Sequence, residues 1–186
     1  MSLELITPPA LEPVTLDAAK AFLKVDTGDD DALIASLITA ARARTEWHCG
    51  RALITQSWIQ WLDCWPMARL VEIALPPLQS VGAITIYARD GTETVLDAGN
   101  YVVDRASQPG RVALDCGVVF SDLRNLNGIA IAFTAGYGDA ASDVPAPIVA
   151  AVLQIVADLY QHRGDAPAEL GNAAQALLAP YRIWNF

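Results

Sequence analysis

The chain has 186 residues, of which 53% are hydrophobic and 18% charged, so general disorder is excluded and a sizeable folded core is expected. Its 21 acidic and 12 basic side chains give a formal net charge of −9, which excludes a basic face able to grip nucleic acid by its phosphates. Three widely spaced cysteines fit neither a disulfide framework nor a zinc motif and suit a reducing cytoplasm.

The first part of the chain predicts a pair of amphipathic helices between residues 15 and 50. Thr15 is the predicted N-cap of the first helix, and the acidic run 29–31 begins the second, where carboxylates complement the positive helix end. Gly50 is the predicted stop of the second helix. The N-terminal residues before this pair show neither a positive region nor an apolar core, so no signal peptide is expected.

The middle of the chain, residues 53–137, changes to an alternating pattern rich in β-branched and aromatic residues. Turn signals separate six or seven short strands, among them Asp90-Gly91, which is typical of a tight hairpin. Short strands at such regular intervals predict an antiparallel β-sandwich or a small barrel. With the flanking helices, the predicted fold class is α+β.

A long helix follows at residues 145–163, and its apolar side chains occupy more than one face. Such a helix must be buried on more than one side, so we expect neighbouring subunits to cover part of it. The predicted subunit-interface residues are Ile148, Val152, Ile155 and Leu159. Residues 1–164 are therefore expected to form one domain, followed by an extended tail at 165–186.

The tail ends in an aromatic segment around Arg182 that is unlike the polar residues usual at a frayed terminus. Tyrosine, tryptophan and arginine are the residue types most often found at binding hot spots. We therefore expect this segment to be an anchor for another protein. The predicted anchor residues are Leu177, Leu178, Pro180, Tyr181, Arg182, Ile183, Trp184 and Phe186.

No pattern in the sequence predicts catalysis, a metal or a cofactor. His48 and Cys49 are adjacent on a helix and point about 100° apart, so they cannot meet as a base and a nucleophile. The acidic run 29–31 lacks the glycine and glutamate of a calcium loop, and the segment 136–138 lacks a phosphate-binding motif. We expect a protein that is not an enzyme.

Two other functions stay open at this stage. The first is a β module that binds carbohydrate or peptide through Trp58, Trp61 and Trp65, although alternation would place Trp58 and Trp61 on opposite faces of a sheet. The second is an enzyme with an unrecognised site, in which Cys49 or Cys116 would be the nucleophile.

The ordered set of motifs resembles the head–tail connector (adaptor) proteins of long-tailed double-stranded DNA phages, prophages and gene transfer agents. The likeness runs over nearly the whole chain. It rests on the helix pair followed by GRALITQ at 50–56, LPPLQSV at 75–81, ITIY at 84–87, YVVD at 101–104, PGRV at 109–112, FTAGYG at 133–138, PAPI at 145–148 and LAPYRIW at 178–184.

This resemblance implies a structural virion protein, assembled in the bacterial cytoplasm and without a cofactor. Such adaptors form a ring, commonly of twelve copies, beneath the portal, where they extend the DNA channel and contact the next head-completion or tail protein. The resemblance assigns the aromatic C-terminal segment to the portal. Double-stranded DNA would pass an acidic subunit without specific binding.

Overall fold

The computed structural model describes residues 2–162 and 170–183. They contain four α-helices and eight strands, and every strand pair is antiparallel, so the expected α+β class is confirmed. The helices are α1 (Leu16–Leu23), α2 (Asp31–Cys49), α3 (Ala146–Gln161) and α4 (Asn172–Leu178). The strands are β1 (Ser2–Thr7), β2 (Gln56–Leu62), β3 (Leu70–Glu72), β4 (Leu78–Tyr87), β5 (Glu93–Val95), β6 (Tyr101–Asp104), β7 (Arg111–Leu114) and β8 (Ile129–Ala135).

The chain divides into two compact units, and each is built from two separate stretches of sequence. The β unit contains residues 1–9 and 55–137, and the helical unit contains residues 10–54 and 138–186. The boundary predicted at residue 164 lies outside the described residues and stays a prediction.

The β unit contains two sheets. The larger has five strands in the order β1-β2-β8-β4-β5, and the smaller has three in the order β3-β7-β6. Four isoleucines are among its most deeply buried side chains, and β-branched residues pack well on a pleated surface. They are Ile73, Ile84, Ile129 and Ile131, each with no exposed surface. Among the described strands neither sheet closes on itself, so a closed barrel is not formed.

A buried glutamine links the larger sheet to the end of β3. Gln60 has no exposed surface, and its amide nitrogen donates to the carbonyl oxygen of Glu72 at 3.0 Å. Its amide oxygen accepts from the backbone N–H of Ala74 at 2.9 Å. Both bonds satisfy backbone groups where the strand ends, and a buried amide would be costly without them.

The helical unit begins and ends its first two helices where the sequence predicts. Thr15 caps α1, since its hydroxyl oxygen accepts from the N–H of Ala18 at 3.2 Å. Gly50 follows α2 in the left-handed region, at φ 65°, which glycine adopts without steric cost. Asp30, the residue before α2, makes no side-chain capping bond; its carboxylate instead accepts from the hydroxyl of Tyr160 at 2.5 Å.

Arg42, on α2, forms an ion pair that connects this helix to the segment before α1. Its guanidinium contacts a carboxylate oxygen of Glu12 at 2.7 Å and one of Glu46 at 2.5 Å. The second carboxylate oxygen of Glu46 accepts from the backbone N–H of Leu53 at 2.9 Å. Three separated stretches of the helical unit are thus joined through one ion-pair network.

The N-terminal strand is the element that the sequence analysis missed. The sequence predicts no strand before residue 53, but residues 2–7 form β1, an edge of the larger sheet paired with β2. The alternation in this strand is weak because all six of its residues are exposed. A strand without a buried face has no reason to show the period of two that identifies others.

Candidate assembly surfaces

The C-terminal segment is attached to the end of α2 by two backbone interactions. After α4, a short 3-10 turn covers Ala179–Tyr181, and the backbone N–H of Ile183 then donates to the carbonyl oxygen of Cys49 at 3.0 Å. The guanidinium Nε of Arg51 donates to the carbonyl oxygen of Tyr181 at 2.5 Å. Residues 181–183 therefore lie against a helix end that is about 130 positions earlier in the chain.

The predicted anchor residues differ in what they present to a partner. Leu178 has no exposed surface and belongs to the core of the helical unit. The prediction that Leu178 contacts a partner is therefore corrected, because a side chain that its own chain already covers has no area left to bury. Pro180 and Arg182 are exposed, and three residues are half-buried: Leu177, Tyr181 and Ile183. Trp184 and Phe186 lie outside the described residues.

Positive charge collects where this segment meets α2. Burial lowers the pKa of His48 below its usual value, and the nearby charges of Arg182 and Arg44 lower it further. His48 is therefore neutral at physiological pH. Trp47 precedes it with 85% of its surface exposed. Trp47 and Arg44 are three positions apart on α2 and so share a face of the helix, and both are residue types enriched at protein-binding hot spots.

Cys49 is unsuited to act as a nucleophile. Burial raises the pKa of its thiol to about 11, although Arg51 and Arg182 oppose that change. The thiol therefore stays protonated at neutral pH, whereas nucleophilic cysteines need the thiolate. Cys64 and Cys116 are exposed and free. In the described part of the chain, no group of three or more His, Cys, Asp or Glu side chains could hold a metal ion.

Most of the apolar surface of α3 is covered by helices of the same chain. Ile148 and Val152 have no exposed surface, and Ile155 has 3%. The helix packs against α1, α2 and α4, which accounts for its apolar faces without a second subunit. These three residues are therefore core residues, and the expectation that neighbouring subunits contact them is corrected. Leu159 is half-buried and can still reach a neighbour.

The tryptophans of the β unit do not form one platform. Strand β2 pairs with β8 without a register shift, so Trp58 and Trp61 point to opposite faces of the sheet. The Trp61 and Tyr87 rings are tilted by 41° with their centroids 5.6 Å apart, and the guanidinium of Arg124 lies over both. The indole N–H of Trp61 donates to Glu4 at 2.9 Å. The centroid of the Trp65 ring lies 6.3 Å from that of Phe120.

Comparisons with known proteins bear on the family. The profile of the phage gp6-like head–tail connector proteins matches residues 13–89, from the start of the helix pair to the end of β4. The expected resemblance to head–tail connectors is confirmed. Among curated proteins there is no match.

Solved structures that are similar to this chain come from gene transfer agent particles. A subunit of the neck of an empty particle, computed with C6 symmetry, shares 25% identity and a TM-score of 0.84. A subunit of a native virion shares 23% and 0.83, and one of a native neck computed with C12 symmetry shares 24% and 0.77. Each match covers 100% of this chain and 97% of the other.

No α-helix within residues 2–162 and 170–183 combines the length and apolarity that crossing a bilayer requires.

Proposed function

We propose that the protein is a structural head–tail connector of a phage-like particle. Copies form a ring, of twelve subunits, beneath the portal; the ring extends the DNA channel and links head to tail. The observation that supports this most strongly is the match of the entire chain to a subunit from a particle neck, at 25% identity and a TM-score of 0.84. The connector profile over residues 13–89 points to the same function independently.

The portal is the proposed partner of the C-terminal segment. Its exposed residues, Pro180 and Arg182, stand on a backbone that is tied to Cys49 and Arg51, so the segment is presented in a fixed conformation. A fixed segment loses less conformational entropy when it binds than a free one does. Because Arg182 adds to the positive charge near Arg44, the complementary portal surface is expected to be acidic.

The other end of the ring is proposed to meet the next head-completion or tail protein, and double-stranded DNA passes through without specific binding. A formal charge of −9 on each copy opposes adhesion of phosphates to the channel. We propose that subunits are made in the bacterial cytoplasm and reside in the finished particle. Twelve weak contacts with one portal ring would act together, so the assembly can be stable although each contact is small.

The portal contact is tested with two changes that leave the helical core intact. A cut before Leu177 is unsuitable because it removes Leu178 from the core. Instead, one variant ends at Ile183 and a second carries Arg182→Glu. Lys24→Glu is the matched control, since it makes the same charge change at another exposed residue of the helical unit. Circular dichroism first checks that all variants fold.

Incorporation into portal-containing particles is then measured by quantitative mass spectrometry. We expect Arg182→Glu and the shortened chain to be at least tenfold depleted from particles, and Lys24→Glu to enter them normally. Normal incorporation of both altered C-termini would contradict the portal assignment. Absence of the unaltered protein from particles would contradict the connector function itself.

A further inference from the structure

The five-stranded sheet has two open edges. Strand β1 forms one and β5 forms the other, and every residue of both strands is exposed. An open edge presents unpaired backbone N–H and C=O groups, which can pair with another strand. Both edges therefore offer hydrogen bonds that the single chain does not use within this sheet.

Strand β1 has few of the features that usually protect an edge: the register shift between Leu5 and Thr7 is the one irregularity in its pairing with β2. Leu3, Leu5 and Ile6 are 38%, 44% and 51% exposed, and no lysine or proline interrupts the strand. Its one charged side chain, Glu4, is engaged by the indole N–H of Trp61. Three of the six residues of β1 are therefore exposed aliphatic side chains on an edge whose outward backbone groups are unpaired within the sheet.

The backbone groups that face outward on β5 can be identified. The N–H of Leu96 donates to the carbonyl of Ile84 at 2.8 Å, and the N–H of Ala88 donates to that of Thr92 at 2.9 Å. Since hydrogen-bonded pairs alternate along an antiparallel ladder, Thr94 faces Ile86. The backbone groups of the residues on either side of Thr94, at positions 93 and 95, therefore point to the open edge.

The two edges suit a closed ring. A cyclic ring needs two different surfaces on each subunit, one of which meets the other on the next copy. An odd number of antiparallel strands makes both edge strands run in the same direction. A neighbour rotated about an axis close to the strand direction would therefore bring its β1 beside β5 in parallel orientation.

We propose that β1 of one copy pairs with β5 of the next, so that the larger sheet continues from subunit to subunit around the ring. This inference rests on the ring of the proposed function and adds its contact surface. The pairing joins backbone groups on both strands and covers the exposed aliphatic side chains of β1.

Engineered cysteines test this pairing. Cys64 and Cys116 are first replaced by serine, since both are exposed. Leu3→Cys or Leu5→Cys is then combined with Thr94→Cys. Within one chain the two edges are four strand spacings apart, roughly 19 Å, which is beyond the reach of a disulfide. Any bond between these positions must therefore join two copies. Met67→Cys with Thr94→Cys is the control, because Met67 is fully exposed and lies outside the larger sheet.

Assembled particles are oxidised and separated on non-reducing gels. We expect a ladder of covalent multimers from at least one edge pair and none above background from the control. Variants that enter particles but give no ladder from either pair overturn the edge pairing and leave the connector function standing. An extended segment of another particle protein on β1 would give this same negative result, with cross-links to that protein instead.

Hydrogen exchange of the unaltered protein provides a second measurement if the cysteine variants fail to assemble. The outward-facing amides of residues 93 and 95, and those of β1 that do not bond to β2, are expected to exchange at least tenfold more slowly in particles than in the free protein. Unchanged exchange at these amides, in particles that contain the protein, overturns the inference.

Discussion

Arg51 and Tyr181 are joined by a hydrogen bond from the guanidinium Nε to the carbonyl oxygen, across 130 positions of sequence. Arg51 is only 7% exposed, so this bond forms largely out of water. It holds the chain after α4 against the end of α2, next to the bond from Ile183 to Cys49. The segment that we assign to the portal thus has a defined position before any partner binds.

Replacing Arg51 by alanine is expected to destabilise the protein by about 1.5–3 kcal/mol, because a charge-assisted and mostly buried hydrogen bond is lost. Urea unfolding followed by circular dichroism measures this change. Arg105→Ala is the control, since the exposed Arg105 also donates to a backbone carbonyl, that of Gln79. An equal loss in both variants would mean that burial of Arg51 adds nothing.

The buried thiol of Cys49 is expected to make the protein less stable at alkaline pH. Its pKa of about 11 in the folded protein lies above the ordinary value of 9.0 for a cysteine thiol. The folded state therefore holds this proton more tightly, and the contribution to stability is complete below pH 9 and lost as the pH rises towards 11. Cys49→Ala should lose less stability than the unaltered protein over that range, as measured by urea unfolding at pH 8, 9, 10 and 11. Parallel curves would contradict the assignment.

Thiol labelling offers a separate check on the same cysteine. At pH 8 we expect Cys64 and Cys116 to react rapidly and Cys49 to react at least a hundredfold more slowly, because it is buried and protonated. Mass spectrometry of labelled peptides assigns each rate. Denaturation should make the three rates similar; rapid labelling of Cys49 in the folded protein would show that it is accessible.

Asp104 is expected to support the connection between β6 and β7 only while it is ionised. Hydrogen bonds from Ser107 and Arg111 hold the pKa of its carboxyl well below the usual range. A lowered pKa contributes stability that is present above the unfolded value, near 4, and is lost as the pH falls below it. Asp104→Asn should therefore lower the melting temperature at pH 7 and have less effect at pH 2.5. A difference that does not shrink on acidification would contradict this.

Gly128, just before β8, is expected to tolerate no side chain. A β-carbon there would lie 2.6 Å from Cγ of Leu123 and within 3 Å of the carbonyl oxygens of Arg124 and Asp63. Backbone oxygens cannot move aside cheaply, so Gly128→Ala should cost about 1–3 kcal/mol. Gly117→Ala is the control because nothing lies within 4 Å of its β-carbon position. Calorimetry that finds the two variants equally stable would refute the steric reason.

Local patterns were enough to predict much of the fold. The cap at Thr15, the stop at Gly50 and the helix at Ala146–Gln161 depend on neighbouring residues, and all three occur where the sequence indicates. Strand β1 escaped prediction because its partner β2 lies about fifty positions later and none of its residues is buried. A strand defined only by a distant partner has no local pattern to reveal it.

The assembly residues were harder to predict for the same reason. The apolar faces of α3 correctly indicated burial on several sides, but the sequence cannot say whether the covering helices belong to the same chain or to another. Ile148 and Leu178 are covered by their own chain, whereas Pro180 and Arg182, close to Leu178, are exposed. Exposed Trp47 was missed because it lies off the apolar stripe of α2 and was not weighed as a binding residue.

The interleaved order of the two units has a consequence for synthesis on the ribosome. About a hundred residues separate the end of α2 from the start of α3, which supplies much of the surface that α2 packs on. At translation rates of roughly 5–20 residues per second, the nascent α1–α2 hairpin waits on the order of 5 to 20 seconds for that partner. During this interval the apolar stripe of α2 is uncovered, so nascent chains are candidates for chaperone binding until α3 has emerged from the ribosome.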